Sequence, residues 1–164
     1  MPDKPQVRPA RIDEADALSA LCFRSKAVWG YDAAFMALAR AALRVSPGEI
    51  AAGNVWVAVA RDRTISGVVA LAASERPDTL DLNKLFIGPQ FIRAGFGRML
   101  LAHAVAEARR RGARRLTILA DPYAAPFYER QGACRIGEAP SDAIPGRLLP
   151  LYEINLDWLR TDPV

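Results

Sequence analysis

The chain of 164 residues contains few of the residues on which metal sites, disulfide frameworks and histidine-based catalysis depend. Its two cysteines, Cys22 and Cys134, are too few for a disulfide framework, and we interpret both as free thiols in a reducing cytoplasm. The single histidine, His103, argues against a His-based metal site and against a Ser-His-Asp triad. We therefore expect a protein without a bound metal.

Long apolar runs are missing as well. No stretch reaches the ~18 apolar residues that a membrane-spanning helix needs. The N-terminal MPDKPQVRPA lacks the apolar segment of a signal peptide. The content of 51% apolar and 24% charged residues is ordinary for a globular protein. At roughly 100–200 residues per domain, we expect one domain over residues 1–164, located in the cytoplasm.

Lysine is scarce, because only three of the 22 basic residues are lysine and the rest are arginine. The net charge of +4 suits an anionic ligand, such as a nucleotide-like cofactor or nucleic acid. Five of the arginines cluster at positions 109–111, 114 and 115. This cluster is compatible with nucleic-acid binding, but no aromatic residues are interleaved for stacking on bases. A solvated helix C-terminus, where cations complement the macrodipole, is the favoured interpretation.

Apolar periodicity predicts eleven elements in the order β-α-α-β-β-β-α-β-α-β-β. The predicted helices begin near Asp13, Asp32, Gly95 and Tyr123, and Ser46-Pro47-Gly48 is interpreted as a helix breaker. The predicted strands cover residues 7–9, 55–60, 65–72, 80–87, 115–119, 133–137 and 149–156. This order indicates an α/β (α+β) fold with a mixed, mainly antiparallel sheet of six to seven strands, flanked by about four helices.

The segment from Leu85 to Arg98 is the most informative, since it passes from a strand through a tight loop into a helix. Gly95 and Gly97 stand at the helix entry. The unpaired amides and the macrodipole of a helix N-terminus attract anions, and glycine lets a phosphate approach the backbone closely. Arg93 and Arg98 can add charge-assisted hydrogen bonds. The two glycines taken alone fit a tight turn equally well.

Over about residues 80–156, the chain resembles the GNAT-type N-acetyltransferase superfamily. The family's acetyl-CoA signature is a strand ending in proline, then Arg/Gln-x-x-Gly-x-Gly/Ala and a leucine pair; its counterparts here are Pro89, Gly95, Gly97 and Leu100-Leu101. Asp121 and the run from Phe127 to Gly132 follow in the family's order. The sequence departs from the pattern at Ile92, which replaces the Arg/Gln, and at Arg93, where glycine is frequent. A positive φ at Arg93 would strain the backbone.

The resemblance implies direct transfer of an acetyl group from acetyl-CoA to a primary amine within a ternary complex. The residues implied for the pyrophosphate are Ile92, Arg93, Ala94, Gly95, Phe96 and Gly97, with Arg98 adjoining. Those implied for the pantetheine arm are the strand residues Leu85, Phe86 and Ile87, together with Asp121, where many members have asparagine. For Asp121, an ordinary turn or helix cap before Pro122 is the alternative.

Tyr128 matches the family's general acid, and a phenol with a pKa near 10 is a protonated donor at neutral pH. Its alternative role is that of a core aromatic beside Phe127. The resemblance places the general base on the strand that carries the acetyl site, where Asp81 is the only carboxylate on its face. The alternatives are a solvated residue at the strand start, for Asp81, and a water chain, for the base.

The resemblance implies that the acceptor amine contacts Trp29 and Tyr31 between the first two helices, and Arg147 in the last loop. For Trp29, the alternative is an aromatic residue that closes the core at a helix end. Arg147 can pair with an acidic group of the acceptor or serve as a surface charge. The acceptor itself stays open between a small molecule and a peptide or protein N-terminus, and a homodimer is implied by family analogy only. Two rival functions are a CoA-binding module without turnover and a basic nucleic-acid-binding protein.

Overall fold

The computed structural model describes residues 4–157, which contain seven strands and five α-helices. The strands are β1 (Gln6–Pro9), β2 (Val55–Val59), β3 (Ile65–Ala73), β4 (Thr79–Ile87), β5 (Arg115–Leu119), β6 (Cys134–Pro140) and β7 (Leu148–Asn155). The helices are α1 (Ala15–Ala27), α2 (Ala33–Ala39), α3 (Pro47–Ala51), α4 (Phe96–Arg110) and α5 (Ala125–Arg130). The predicted fold class and the predicted strands are confirmed, with five helices rather than about four.

The additional helix, α3, starts at the segment that the sequence indicated as a breaker. The Ser46 hydroxyl accepts a hydrogen bond from the Glu49 amide at 3.1 Å, which caps the helix. Pro47 occupies the first turn, where its missing N–H removes no intrahelical bond. The helix α2 ends before these three residues as predicted, but the same segment also begins α3, a helix that the sequence did not indicate.

The starts of the first two helices differ in how well the sequence predicted them. Asp13 is not the cap of α1, since it lies in a 3-10 turn over Ile12–Glu14 that precedes the helix. There the Glu14 carboxylate accepts the Arg11 amide at 2.7 Å. The helix α2 starts next to Asp32 as predicted, and Asp32 is its cap, whose side chain accepts the Phe35 amide at 2.8 Å.

The strands form a sheet in the order β1-β2-β3-β4-β5-β7-β6. The pairing of β4 with β5 is parallel, whereas β1–β2, β2–β3, β5–β7 and β6–β7 are antiparallel. In the parallel pair, the register joins Thr79 to Arg115, Leu80 to Leu116 and Asp81 to Thr117. The pairing with β5 therefore covers only the first three residues of β4.

The described chain divides into two compact units. Unit 1 comprises residues 4–70 and 84–103, and unit 2 comprises residues 71–83 and 104–157. The single domain expected from the sequence stays a prediction. No helix within residues 4–157 is long and apolar enough to cross a membrane.

Unit 1 has its core around β2, which is buried along its whole length. Val55, Val57 and Val59 belong to an apolar cluster with residues of α1, α2 and α3. On β2, the intervening Trp56 contacts the ring of His103 on α4, with centroids 5.3 Å apart. Because both faces of this strand are covered, its sequence is continuously apolar rather than alternating.

Unit 2 is built around β5 and β7. Leu116 and Ile118 of β5 and Tyr152 of β7 are fully or almost fully buried. The Tyr152 hydroxyl donates a 2.5 Å hydrogen bond to the carboxylate of Glu129, which ties the short helix α5 to β7. This bond helps to raise the pKa of Tyr152.

Candidate functional site

The loop between β4 and α4 is bound to β3 at its start and then continues through tight turns. The Gly88 amide donates to the Ser66 carbonyl at 2.8 Å, and the Phe91 amide donates to the Gly88 carbonyl at 2.8 Å. At the end of the loop, the Met99 amide donates to the Gly95 carbonyl at 3.1 Å. Because amides in the first turn of a helix have no acceptor within it, those of residues 96–98 are available to an anion.

Gly95 gives this helix N-terminus an open approach. Its φ is +89°, and a Cβ built on it would meet no atom within 4 Å. The space in front of the residue is therefore open to an approaching phosphate, which a side chain at this position would obstruct. The residues therefore fit an anionic group such as a pyrophosphate.

Arg93 occupies the left-handed region, with a φ of +65°. The strain anticipated for an arginine at this position is therefore present, at a cost of the order of 1–3 kcal/mol. Phe96 provides an anchor, since its ring is buried and packs edge-on against Phe91 with centroids 5.6 Å apart. Three residues around this segment are exposed, namely Ile92, Ala94 and Arg98. The loop therefore presents its backbone to solvent.

The three strand residues assigned to pantetheine are half-buried. Phe86 packs against the apolar cluster of unit 1, which fixes the end of β4. Gly67 of β3 makes this packing possible, because a Cβ there would lie 2.7 Å from Cδ1 of Ile87 and 2.9 Å from the Phe86 carbonyl oxygen. Sequence reasoning did not single out Gly67, although a glycine inside a strand is a signal of close approach.

Tyr128 lies on α5, where its side chain is buried and packs edge-on against Phe127 with centroids 5.2 Å apart. Burial raises the pKa of its phenol, and the negative charge of Asp121 adds to this shift. Tyr128 is therefore protonated at neutral pH and able to donate a proton. The same packing also meets the requirements of a core aromatic.

Asp121 and Arg147 are brought together in unit 2. One carboxylate oxygen of Asp121 accepts the Tyr123 amide at 2.9 Å, and the other lies 3.9 Å from Nη2 of Arg147. Asp121 thus lies beside Arg147, and its negative charge contributes to the raised pKa of Tyr128.

Asp81 accepts a hydrogen bond from the hydroxyl of Thr117, its neighbour in the parallel register. Thr117 is buried, and the sequence analysis missed it. The local sequence does not predict this contact, because the contact depends on the register between two strands that are distant along the chain.

Trp29 and Tyr31 lie in the connection between α1 and α2, as predicted. Trp29 is exposed, whereas Tyr31 stacks on Phe35 with ring centroids 3.9 Å apart. The ammonium of Lys26 lies 5.3 Å from the Tyr31 ring centroid. Both aromatic residues belong to unit 1, and Arg147 belongs to unit 2.

The arginine cluster has partners within the protein. Arg110 and Arg111 bind Glu107, Arg114 binds Asp157 at 2.8 Å, Arg115 lies 3.9 Å from Glu153, and Arg109 donates to the Leu156 carbonyl at 3.3 Å. These contacts favour the structural interpretation of the cluster over nucleic-acid binding. Among residues 4–157, no three His, Cys, Asp or Glu side chains are grouped to hold a metal ion.

A family model described as an acetyltransferase (GNAT) domain matches residues 32–141 of the chain. The search of curated proteins found no sequence that matches this chain.

Solved structures share the fold at low sequence identity. A GCN5-related N-acetyltransferase from Rhodopseudomonas palustris has a TM-score of 0.74 at 20% identity, over 94% of this chain and 98% of that one. The PaiA N-acetyltransferase of Thermoplasma acidophilum, in complex with coenzyme A, has a TM-score of 0.70 at 16% identity, over 93% and 99%. YncA of Salmonella typhimurium, a protein described as an acetyltransferase with its cofactor acetyl-CoA, has a TM-score of 0.68 at 18% identity, over 94% and 95%.

Proposed function

The chain belongs to the GNAT acetyltransferase family, and on that premise we propose that it transfers an acetyl group from acetyl-CoA to a primary amine, directly within a ternary complex. Acetyl-CoA supplies the activated thioester when it is bound. The observation that carries the proposal is the open, glycine-lined N-terminus of α4, where Gly95 leaves room for a phosphate against free amides. Two similar structures contain coenzyme A or acetyl-CoA, which supports the same ligand here.

The pyrophosphate is assigned to the loop over residues 92–97. The amides of Phe96, Gly97 and Arg98 donate to it, and the macrodipole of α4 adds partial positive charge. The guanidinium groups of Arg93 and Arg98 extend from exposed positions and are suited to charge-assisted bonds with phosphate oxygens. This arrangement needs no side chain at the Ile92 position, so the departure from the family pattern there is tolerated.

The pantetheine arm is assigned to the end of β4. Leu85, Phe86 and Ile87 follow the three residues that pair with β5, so their backbone is suited to bonding with an extended ligand as an added strand does. One of these amides would also stabilise the oxyanion that develops on the carbonyl under attack, a role that is typically worth a few kcal/mol.

Proton transfer is assigned to two side chains of unit 2. Tyr128, held protonated by its buried position beside Asp121, donates a proton to the departing thiolate. Asp81 is the base for the acceptor amine, and the bond from Thr117 fixes the orientation of its carboxylate.

Trp29 and Tyr31 are assigned to the acceptor, which is an amine of a small molecule or peptide. A homodimer is part of the proposal by family analogy.

The proposal is tested by thermal unfolding with ligands, followed by an assay of CoA release. Acetyl-CoA and CoA should both raise the melting temperature, because binding to the native state alone stabilises by RT ln(1 + [L]/Kd), whereas NAD should not. A panel of amines and peptides is then screened for release of the CoA thiol. Because Cys134 is exposed and also reacts with the thiol reagent, the signal of the protein alone is subtracted as background. Stabilisation without release by any amine would indicate the CoA-binding module. A shift with NAD and none with acetyl-CoA would contradict the cofactor assignment.

A further inference from the structure

The loop between β6 and β7 is held in a fixed conformation by its own hydrogen bonds. The Ser141 amide donates to the Arg147 carbonyl at 2.8 Å, and the Arg147 amide donates to the Ile144 carbonyl at 3.2 Å. The Ser141 hydroxyl also accepts the amides of Ala143 and Ile144 at 3.2 and 3.1 Å. Arg147 therefore extends from an ordered platform, and its side chain is only 19% exposed.

Asp121 stands at the other end of this contact, with a side chain that is 11% exposed. Its backbone carbonyl accepts the amides of Ala124 and Ala125 at 2.9 and 3.1 Å. Its carboxylate caps the Tyr123 amide through one oxygen and faces Nη2 of Arg147 with the other. Asp121 thus organises the turn that leads into α5, the helix that carries Tyr128.

A carboxylate withdrawn from water is unfavourable without a counter-charge or hydrogen-bond donors. The Tyr123 amide supplies one donor, and the guanidinium of Arg147, 3.9 Å away, supplies a counter-charge. If Asp121 were left uncompensated, its charge would oppose proton donation by the nearby phenol more strongly, and the turn would lose a tether.

We propose that Arg147 is a positioning residue, which neutralises Asp121 and so holds the turn and the proton donor Tyr128 in their working arrangement, rather than a ligand for an acidic group of the acceptor. The inference rests on the proposed role of Tyr128. It assigns to Arg147 a role different from the acceptor contact that the sequence suggested.

The kinetic test uses Arg147→Met, Arg147→Lys, Asp121→Asn and the double variant Asp121→Asn/Arg147→Met, with an amine that the parent enzyme acetylates. Arg147→Met should lower kcat by roughly ten-fold, with the KM values of acceptor and acetyl-CoA little changed, and Arg147→Lys should recover most of this loss. In the Asp121→Asn background, Arg147→Met should change kcat by less than about two-fold, because no charge is left to compensate. Arg135→Met is the matched control, since Arg135 has a carboxylate partner at 2.8 Å but is exposed on β6.

Thermal unfolding of the same variants without any ligand gives a readout that does not depend on activity. The loss of melting temperature caused by Arg147→Met should be clearly smaller in the Asp121→Asn background than in the parent. Equal losses in both backgrounds would overturn the proposal, as would a raised acceptor KM with an unchanged kcat, which indicates acceptor binding. If the parent enzyme acetylates no amine, the proposed function fails, whereas the melting temperatures still decide whether Arg147 acts through Asp121.

Discussion

The ammonium of Lys84, on the core-facing side of β4, lies 3.5 Å from Oε2 of Glu49 in the first turn of α3. The lysine side chain is 5% exposed and the glutamate 34%, so the pair joins the interior of unit 1 to its surface. Charge-assisted bonds are ordinarily shorter, at about 2.7–2.9 Å. Glu49 therefore compensates the buried charge of Lys84, but at a distance longer than that of an ideal ion pair.

This geometry predicts an asymmetric response to the two single substitutions. Glu49→Gln leaves the Lys84 ammonium buried without a counter-charge and should lower the free energy of unfolding by about 2–3 kcal/mol. Lys84→Met removes the buried charge and keeps most of the length of the side chain. It should therefore change the free energy of unfolding by less than about 1 kcal/mol. Urea unfolding of both variants is the measurement, and equal losses would contradict the expectation.

Gly95→Val should reduce the affinity for CoA by about ten-fold or more, which corresponds to at least ~1.4 kcal/mol of binding free energy. The new side chain would enter the open space in front of the helix and would also strain a backbone with a φ of +89°. Gly112→Val is the matched control, because Gly112 has a φ of +86° and equally open surroundings at the far end of α4. Both variants should lose similar stability, and calorimetric titration should detect weaker CoA binding only for Gly95→Val. Equal CoA affinities in the two folded variants would place the phosphates elsewhere.

Tyr128→Phe should lower turnover by roughly 10²-fold, the usual scale for loss of a positioned general acid. The ring and its contact with Phe127 are kept, so CoA affinity and melting temperature should change little. Turnover, CoA binding and melting temperature are measured on one preparation. A stability loss with turnover at the parent rate would assign Tyr128 to the core and leave the proton to water.

The two cysteines should differ in reactivity towards a thiol reagent. Cys22 is fully buried, and burial raises the pKa of its thiol to about 12, so its reactive thiolate is suppressed in the folded protein. Cys134 is exposed on β6. The native protein should therefore release one equivalent of chromophore rapidly and a second only on unfolding. Rapid labelling of the folded variant Cys134→Ser would contradict this assignment.

Glu107 should give the stability a dependence on acid pH. Hydrogen bonds from Arg110, with weaker contributions from Arg111, lower its pKa from 4.5 to about 2. Because the folded-state pKa is depressed, the stabilisation is present above about pH 4.5 and is lost as the pH falls towards 2. Arg110 is 70% exposed, so solvent screening keeps the contribution of this pair small. Glu107→Gln should be less stable than the parent at pH 7, and the difference should vanish near pH 2; a difference independent of pH would argue against the ion pairs.

The sequence by itself determined all seven strands and four of the five α-helices, because these depend on local periodicity and on turn residues. The continuous apolar run of β2, the stripe of α4 and the start of α2 near Asp32 are all encoded within a few residues. The loop that we assign to the pyrophosphate could be proposed from the sequence alone, since the amides of a helix N-terminus and an adjacent glycine need no distant partner. The one missed helix, α3, failed for a local reason too, because Ser46-Pro47 can end one helix and begin another.

Only the tertiary structure decided which side chains of distant segments meet. The pairing of Asp81 with Thr117 depends on the parallel register of β4 and β5. The contact of Asp121 with Arg147 depends on a loop 26 residues further along the chain, and the bond of Lys84 with Glu49 joins residues 35 positions apart. A sequence pattern records the preferences of each segment, whereas these contacts arise from the way in which buried surfaces align, and so the electrostatic partners of the proposed catalytic residues emerged only after folding.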